Sequence, residues 1–506
     1  MRDGIELVAD QYEPVGEVVG TLLARGPYGR AFPFSLIFAY LHAARGYRVI
    51  LQSVRGTFGS GGVFNPMADE VADGADTVAW LRRQPWFSGR FATIGVSYLG
   101  FTQWAMLDDP PPELAAAVII AGPHDLGASA WGTGSFTVND FLGWSNLVAH
   151  QEDPGLIRAG IRQLRAQDNV IRAAGNVPLG AAGRALLGER ATWWENWLKP
   201  PETADPFWGA LRVPDALERV DVPVLLLSGW QDLFLPQTLQ QYRRLRARGV
   251  EVALTMGPWT HSQLIVAGLP TIAKETSDWL DTHLGARAAA PRSDRVRFFV
   301  TGEGWRELPD WPPTTTEHAL YLQPGGGLAD AAPTAASSAS FRYDPAEPTP
   351  TIGGRLLSPD SGYRDDTALA ARRDVLSFTS DALTADLHVY GSPVAELAHS
   401  SDNPNVDVFV RVSEVNPKGR SRNVSDAYRR LDGATVDGET LTLELDAIAH
   451  RFRAGSRIRV LIAGGSHPRF ARNLGNGETV ASGSQLTRST HEVHFGPSRV
   501  VLPVGN

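Results

Sequence analysis

The sequence predicts an α/β protein built on a parallel sheet, split by a helical insertion and followed by an all-β domain. Three observations predict it. From residue 18 to about 126, short and nearly continuous apolar runs alternate with helical periods, the pattern of a parallel sheet covered on both faces. From 128 to about 212 this rhythm gives way to a tryptophan-rich helical block and then resumes, which marks an inserted cap. Past about 340 the texture changes to short alternating runs spaced by turn residues, the signature of a sandwich or jelly roll.

In order, strands are expected over 18–25, 47–54, 91–96 and 115–121. Helices are expected over 35–45 (SLIFAYLHAAR), over 69–83 with acids in its early turns, and over 98–107. The inserted block carries Trp131, Trp144, Trp193, Trp194, Trp197 and Trp208, a helical stretch at 155–187 and no clear strand. The α/β pattern continues with a strand at 223–230 (PVLLLSGW), a helix at 236–248, a strand at 250–256, a helix at 271–284 and a strand at 295–301. A Pro/Gly/Ala/Ser-rich tract at 309–340, broken only by Leu320-Tyr321-Leu322, leads into strands at 387–390, 406–412, 441–445 and 457–462. The division expected is an α/β domain in two parts, 1–127 and 213–316, a cap at 128–212 and a β domain at 317–506.

Composition narrows the chemistry. The 506 residues contain no cysteine, which excludes a disulfide framework, a thiol nucleophile, a thiolate zinc site and an iron–sulfur cluster. Only three residues are lysine (Lys199, Lys274, Lys418), which removes most candidates for lysine catalysis. A net charge of −8 gives no electrostatic reason to expect nucleic acid or an anionic membrane as partner. The opening MRDGIEL puts carboxylates where a signal peptide has its apolar core, and no apolar run approaches the roughly 18 residues of a membrane helix. A cytoplasmic protein is expected.

The segment Gly95-Val96-Ser97-Tyr98-Leu99-Gly100 lies where the strand at 91–96 turns into the helix at 98–107. A nucleophile elbow needs that placement, with small neighbours so that the backbone can bend and a helix N-terminus behind it for a developing oxyanion. The pattern departs from G-x-S-x-G, because Leu99 occupies +2 and the glycine falls at +3. As a string it arises by chance about 0.3 times in such a chain; its position at a strand end is what gives it weight. On this template an acid and then a histidine follow, each past a later strand. Asp232 comes one residue after PVLLLSGW, and His261 follows the strand at 250–256 through Gly257-Pro258-Trp259-Thr260. Both stand at carboxyl ends of predicted parallel strands, the edge at which such sheets bind ligands.

Other candidates are weaker. His124 lies at a strand end but precedes the acid, the wrong order. His491 and His494 (HEVH) mimic a metal motif, yet in a strand their spacing points them to opposite faces. Gly56, Gly59, Gly61 and Gly62 lack the lysine of a phosphate loop. Tyr28 follows the first strand of the α/β pattern, so its phenol is a candidate oxyanion donor beside the Tyr98 N–H; position alone leaves an ordinary half-buried tyrosine as the default.

Together these motifs resemble the cocaine esterase-like hydrolases, grouped with X-Pro dipeptidyl-peptidases and α-amino acid ester hydrolases. The resemblance rests on MRDGIEL, Gly26-Pro27-Tyr28, Arg55-Gly56 with Ser60 and Gly62, Asp73 and Asp76 ahead of Trp80, and Gln84-Pro85-Trp86. It continues through GVSYLG at 95–100, GWQD at 229–232 and GPWTH at 257–261, then Phe341-Arg342-Tyr343-Asp344-Pro345 and Asn405-Val406-Asp407. It implies an α/β-hydrolase fold with an inserted helical cap and a C-terminal jelly roll against the active site. It further implies Ser97 as nucleophile, His261 as general base, Asp232 as its orienting acid, and the Tyr28 hydroxyl with the Tyr98 N–H as oxyanion hole. Trp144 and Phe234 match positions lining the acyl pocket. Two departures stand out. The stretch after the acid, Leu233-Phe234-Leu235, lacks the carboxylates that grip a substrate amine in some members, and Ser53 stands where many relatives have Asp.

The expectation is a serine esterase acting through an acyl-enzyme on a small-molecule ester with a bulky apolar or aromatic acyl group, needing no metal or organic cofactor. A homodimer is plausible from the relatives. The rivals are an X-Pro dipeptidyl-peptidase or β-lactam acylase and, from a different class, a carbohydrate-binding protein on a non-catalytic hydrolase scaffold.

Overall fold

A computed structural model describes residues 1–202, 205–285, 292, 294–432 and 440–505. Nine strands form the first sheet: β1 (Ala9–Tyr12), β2 (Gly20–Gly26), β3 (Tyr47–Ser53), β4 (Phe91–Val96), β5 (Leu114–Ile120), β6 (Val224–Gln231), β7 (Val252–Thr260), β8 (Val296–Val300) and β9 (Gly304–Leu308). Their spatial order is β1-β3-β2-β4-β5-β6-β7-β8-β9. The seven strands from β3 across to β8 run parallel, and β1 and β9 close the two edges antiparallel. Side chains alternate between two cores: Leu226 packs on one face, Leu225 and Leu227 on the other. Helices α1 (Glu70–Arg82) and α2 (Tyr98–Leu107) cover the first face, with the cap beyond them. The strand order reverses between β2 and β4, so the crevice at their carboxyl ends is a topological switch point.

Between β5 and β6 the chain leaves the sheet for the cap, whose longer helices are α3 (Val138–His150), α4 (Leu156–Ala174) and α5 (Leu179–Leu187). It leaves and returns through one neck: Leu126 N–H donates to Leu211, Val213 N–H donates to His124, and Arg212 pairs with Asp125 at 3.0 Å. Helices α6 (Leu235–Ala247) and α7 (Leu269–His283) complete the two layers. The strands from Thr316 to Gly505 form a second sheet of twelve, almost entirely antiparallel. It closes over its own core of Leu322, Phe378, Val410, Ile462 and Phe495. The chain therefore has the α/β-hydrolase architecture with a C-terminal β-rich domain. Among the described residues no helix is long and apolar enough to cross a membrane.

The structure corrects several element boundaries. The edge strands β1 and β9 escape a periodicity search because they are short and only half-buried. The tract at 309–340 carries strands Thr316–Gln323, Gly327–Ala329 and Ser338–Tyr343. The helical stretch at 155–187 is two helices, broken ahead of Pro178, which lacks the N–H that a continuing helix needs. β7 runs on through Gly257-Pro258-Trp259 to Thr260, a segment the sequence reads as a connecting loop.

Candidate active site

Ser97 sits between the fully buried β4 and the first turn of α2, with φ +60° and ψ −119°. That left-handed backbone is strained for a serine by about 1–3 kcal/mol and persists because its neighbours are locked. Ser97 N–H donates to Ile120 of β5, and its carbonyl accepts from Gly100 and Phe101. The glycine pattern has a steric cause. A Cβ on Gly95 would lie 2.7 Å from the Leu99 carbonyl oxygen, and one on Gly100 would lie 2.5 Å from the Gly122 Cα. Leu99 is accommodated at +2 because Gly26, at the end of β2, leaves room for its side chain; a Cβ there would stand 2.2 Å from Leu99 Cδ1. The missing glycine at +2 is thus compensated on the neighbouring strand.

Asp232 follows β6 directly and is wholly buried. Its Oδ2 lies 2.6 Å from His261 Nδ1, and its Oδ1 accepts from the Phe234 N–H at 2.7 Å. Both carboxylate oxygens are thereby engaged, which fixes the imidazole plane. The Phe234 ring meets that of His261 edge-on at 5.5 Å. His261 follows the last residue of β7, so a strand end rather than a loop aims it.

Tyr28 stands just past β2. Its hydroxyl accepts from Trp144 Nε1 at 2.9 Å, and Tyr28 lines the same chamber as Ser97. Burial raises its pKa, so it is a neutral phenol at ordinary pH. Its ring stacks on Phe34 at 5.3 Å. The Tyr98 hydroxyl points away from Ser97 and into a buried polar network, where it donates to Glu70 Oε1 and accepts from the Met67 N–H, both at 2.8 Å. Glu70 in turn pairs with Arg25 at 3.0 Å, both buried. Burial, and then the adjacent Glu70 charge, push the Tyr98 phenol well above its ordinary value. What Tyr98 offers the site is its main-chain N–H, which in the first turn of a helix has no carbonyl behind it.

Six of the seven residues singled out from the sequence, Ser97, His261, Tyr28, Tyr98, Trp144 and Phe234, line one chamber, and Asp232 lies behind His261. Trp144 stacks on Tyr98 at 6.2 Å and leans on Trp197 at 5.5 Å. Met67, Phe141, Trp197 and Asp140 are among the wall residues that sequence reasoning misses. Asp140 is the chamber's buried carboxylate on the cap side; its Oδ1 accepts from the Leu357 N–H at 2.6 Å and from Asn139 Nδ2 at 3.1 Å. Burial raises its pKa against those hydrogen bonds. Its helical i, i+4 relation to Trp144 is the signal that could have found it. Leu357, from the β domain, closes the wall, and nothing in its local pattern marks it.

Other motif residues have structural roles. Arg55 grips Asp73 at 2.6 Å and reaches Asp3, while Arg2 pairs with Asp76, so these positions moor the N-terminal segment. Ser53 accepts from Arg30, whose carboxylate partner is Asp10 at 3.0 Å. His124 is buried against Gln241. His491 is buried and His494 exposed, on opposite faces of their strand.

Comparison with known proteins gives the family and the fold. The X-Pro dipeptidyl-peptidase (S15 family) model matches residues 3–263, and that of the X-Pro dipeptidyl-peptidase C-terminal non-catalytic domain matches 288–501. The chain is 31% identical over 563 residues to cocaine esterase of Rhodococcus sp. (strain MB1 Bresler), covering 100% of this chain and 97% of that protein. In fold it is similar to an aminopeptidase from a marine sediment Thaumarchaeota archaeon (TM-score 0.83, 23% identity, 100% of this chain and 95% of that one). It is also similar to an α-amino acid ester hydrolase (TM-score 0.82, 23% identity, with the same coverage). A CocE/NonD family hydrolase from Staphylococcus aureus gives a TM-score of 0.70 at 17% identity, over 100% of this chain and 92% of that one. A strand-end serine in a left-handed turn, a histidine held by a buried carboxylate, and full-length similarity converge: the chain is a serine hydrolase that belongs to the X-Pro dipeptidyl-peptidase (S15) family, in its cocaine esterase-like group.

Proposed function

We propose that the enzyme hydrolyses carboxylic esters of small molecules with a bulky apolar or aromatic acyl group, through a Ser97–His261–Asp232 triad and an acyl-enzyme. The observation that carries this reading is the His261 imidazole, fixed by Asp232 at 2.6 Å, opening on the same apolar chamber as Ser97. In the first step His261 Nε2 takes the Ser97 proton as Oγ attacks the acyl carbon. The tetrahedral oxyanion is held by the Tyr28 hydroxyl and the Tyr98 N–H, and it collapses as the protonated imidazole gives its proton to the leaving alkoxide. In the second step His261 deprotonates a water that attacks the ester carbonyl, and Ser97 Oγ leaves with the proton. Asp232 orients the ring and stabilises the imidazolium throughout. No step calls for a metal or organic cofactor. Trp144, Phe141 and Phe234 give the acyl group its apolar walls.

Asp140 favours a second reading, in which the acyl group carries an amine, as in α-aminoacyl esters or amides. It places a carboxylate on the chamber wall although none follows Asp232. Parallel assays of a phenylacetyl aryl ester, an α-aminoacyl aryl ester and an X-Pro anilide separate the two. Faster turnover of the neutral ester supports the first reading. A preference for either amine-bearing substrate that is lost in Asp140→Asn replaces it with the second.

A further inference from the structure

A second cavity, of about 470 Å3, opens beside the junction between the α/β and β domains and shares no lining residue with the chamber at Ser97. Five guanidinium groups line it (Arg364, Arg420, Arg422, Arg451 and Arg453) against two carboxylates, Asp365 and Glu414. A formal excess of three positive charges therefore gathers in one cleft of a chain whose net charge is −8.

The two carboxylates do not neutralise it. Asp365 is taken by Arg420 at 2.8 Å. Glu414 accepts from the Arg453 main-chain N–H and pairs with the buried His450, each at 3.3 Å, and it comes no nearer than 3.8 Å to Arg422. Arg364 donates to the carbonyls of Asp360 and Pro359, and Arg453 to that of Gly302. Arg451 reaches Asp386 at only 3.7 Å, and its buried Nε has no hydrogen-bond partner. Among the described residues, four guanidinium groups, those of Arg364, Arg422, Arg451 and Arg453, thus have no carboxylate within hydrogen-bond distance.

Clustering like charges costs free energy that an anion in the cleft would offset, and a walled cleft concentrates its field on such an anion. The planar forks of arginine match tetrahedral oxyanions with paired hydrogen bonds. The volume falls within the range of about 300–1,000 Å3 usual for small-molecule sites, which is more room than a bare ion needs. The Asn416 Oδ1 is used by the Lys418 and Arg420 N–H groups, which leaves its amide N–H2 to face a ligand. Tyr363, with Arg422 over its ring at 5.2 Å, supplies a flat wall.

We propose that this cleft binds a small organic ester of a tetrahedral oxyanion, a phosphate or a sulfate monoester. Tyr363, Arg364 and Asp365 leave directly from a loop pinched by reciprocal hydrogen bonds between Gly354 and Gly362, and the same loop carries Leu357 into the acyl chamber. The bound ester and the substrate therefore rest on opposite ends of one loop.

Calorimetric titration of the full chain with glucose 6-phosphate, glucose 6-sulfate and glucose, at low salt, tests the proposal. The expected result is saturable binding of at least one charged ester, with the better of the two naming the source of the oxyanion. Glucose should bind at least about tenfold more weakly. The Arg451→Gln/Arg453→Gln variant, and separately Arg364→Gln, should weaken the charged ester by about tenfold while hydrolysing an aryl ester at the wild-type rate. If the double variant does not fold, Arg364→Gln decides. No saturable binding of either ester below about 10 mM, equal binding of glucose, or affinity unchanged in the folded variants would each overturn the proposal.

Discussion

Arg355 of the β domain donates Nη1 to the main-chain carbonyl of Leu233 at 2.9 Å, one residue past Asp232 in the α/β domain. The guanidinium is largely buried, pairs with Asp446 at 2.6 Å and lies close enough to feel the Asp232 charge. Burial works against its charge, but Asp446 and the further acids Asp426 and Asp232 hold its pKa above the ordinary value. The β domain thus supplies a cation that fixes the loop bearing Asp232. Arg355→Met should leave the largely buried Asp446 with only the more distant Arg469 at 3.8 Å, a loss of up to about 3–5 kcal/mol in unfolding free energy. Arg355→Lys should keep the charge and lose part of the geometry. Loosening the loop that carries Asp232 should lower kcat/KM for an aryl ester in Arg355→Met and much less in Arg355→Lys. Equal kcat/KM for wild type and both variants would refute a positioning role.

In the proposed reaction the Tyr28 hydroxyl is the one oxyanion donor that comes from a side chain, and burial keeps it protonated. Tyr28→Phe should lower kcat by about 10²–10³, or about 2.7–4 kcal/mol, with little change in KM. Trp144→Phe removes the 2.9 Å bond into that hydroxyl while keeping an aromatic ring on the wall, and should cost about 0.5–1.5 kcal/mol. Steady-state kinetics on an aryl ester compares the two directly, and a Tyr28→Phe effect no larger than that of Trp144→Phe would reduce Tyr28 to packing.

Two glycines should respond in opposite directions. Gly100→Ala drives a methyl against Gly122 backbone at 2.5 Å behind Ser97 and should destabilise by about 1–3 kcal/mol. Gly143, inside α3, has nothing within 4 Å of a Cβ, so Gly143→Ala should stabilise by about 0.5–1 kcal/mol. Chemical denaturation of the two variants reads both signs.

The buried His399–His491 pair, Nε2 to Nδ1 at 3.0 Å, sets an acid limit on stability. Burial lowers His399 to about 4 and, with the neighbouring His399, lowers His491 to about 3. In the unfolded chain both protonate near about 6.5, so below that pH the unfolded state binds more protons than the folded one. Their contribution is complete above about pH 6.5 and is lost as the pH falls through about 4 and then about 3. Replacing both with apolar residues, His399→Leu with His491→Phe, should flatten the fall of Tm over that window; parallel curves would assign the acid sensitivity elsewhere.

How far the sequence carries these conclusions depends on where each residue's constraint lies. Ser97, Asp232 and His261 are legible because each is tied to the end of a strand whose apolar run is plain in the chain. β7 reads short in sequence because Gly257 and Pro258 look like loop punctuation. In the fold the register slips between Gly229 and Gln231 of β6, and that irregularity lets the strand run on to Thr260. Leu99 at +2 looks like a defect in the elbow when only the local pattern is considered, and Gly26, distant in sequence, makes its space. Asp140 and Leu357 belong to the chamber through packing between cap and β domain, and no local pattern encodes contacts made between separate layers of the fold.

The central claim is that Ser97 is the acylated residue. Mixing the enzyme with a slowly deacylating aryl ester, quenching in acid and mapping the added acyl mass by peptide mass spectrometry tests this most directly. One acyl group is expected on the peptide containing Gly95-Val96-Ser97-Tyr98, and none in Ser97→Ala. An acyl group on any other residue, or turnover of the ester by Ser97→Ala at the wild-type rate, would contradict it.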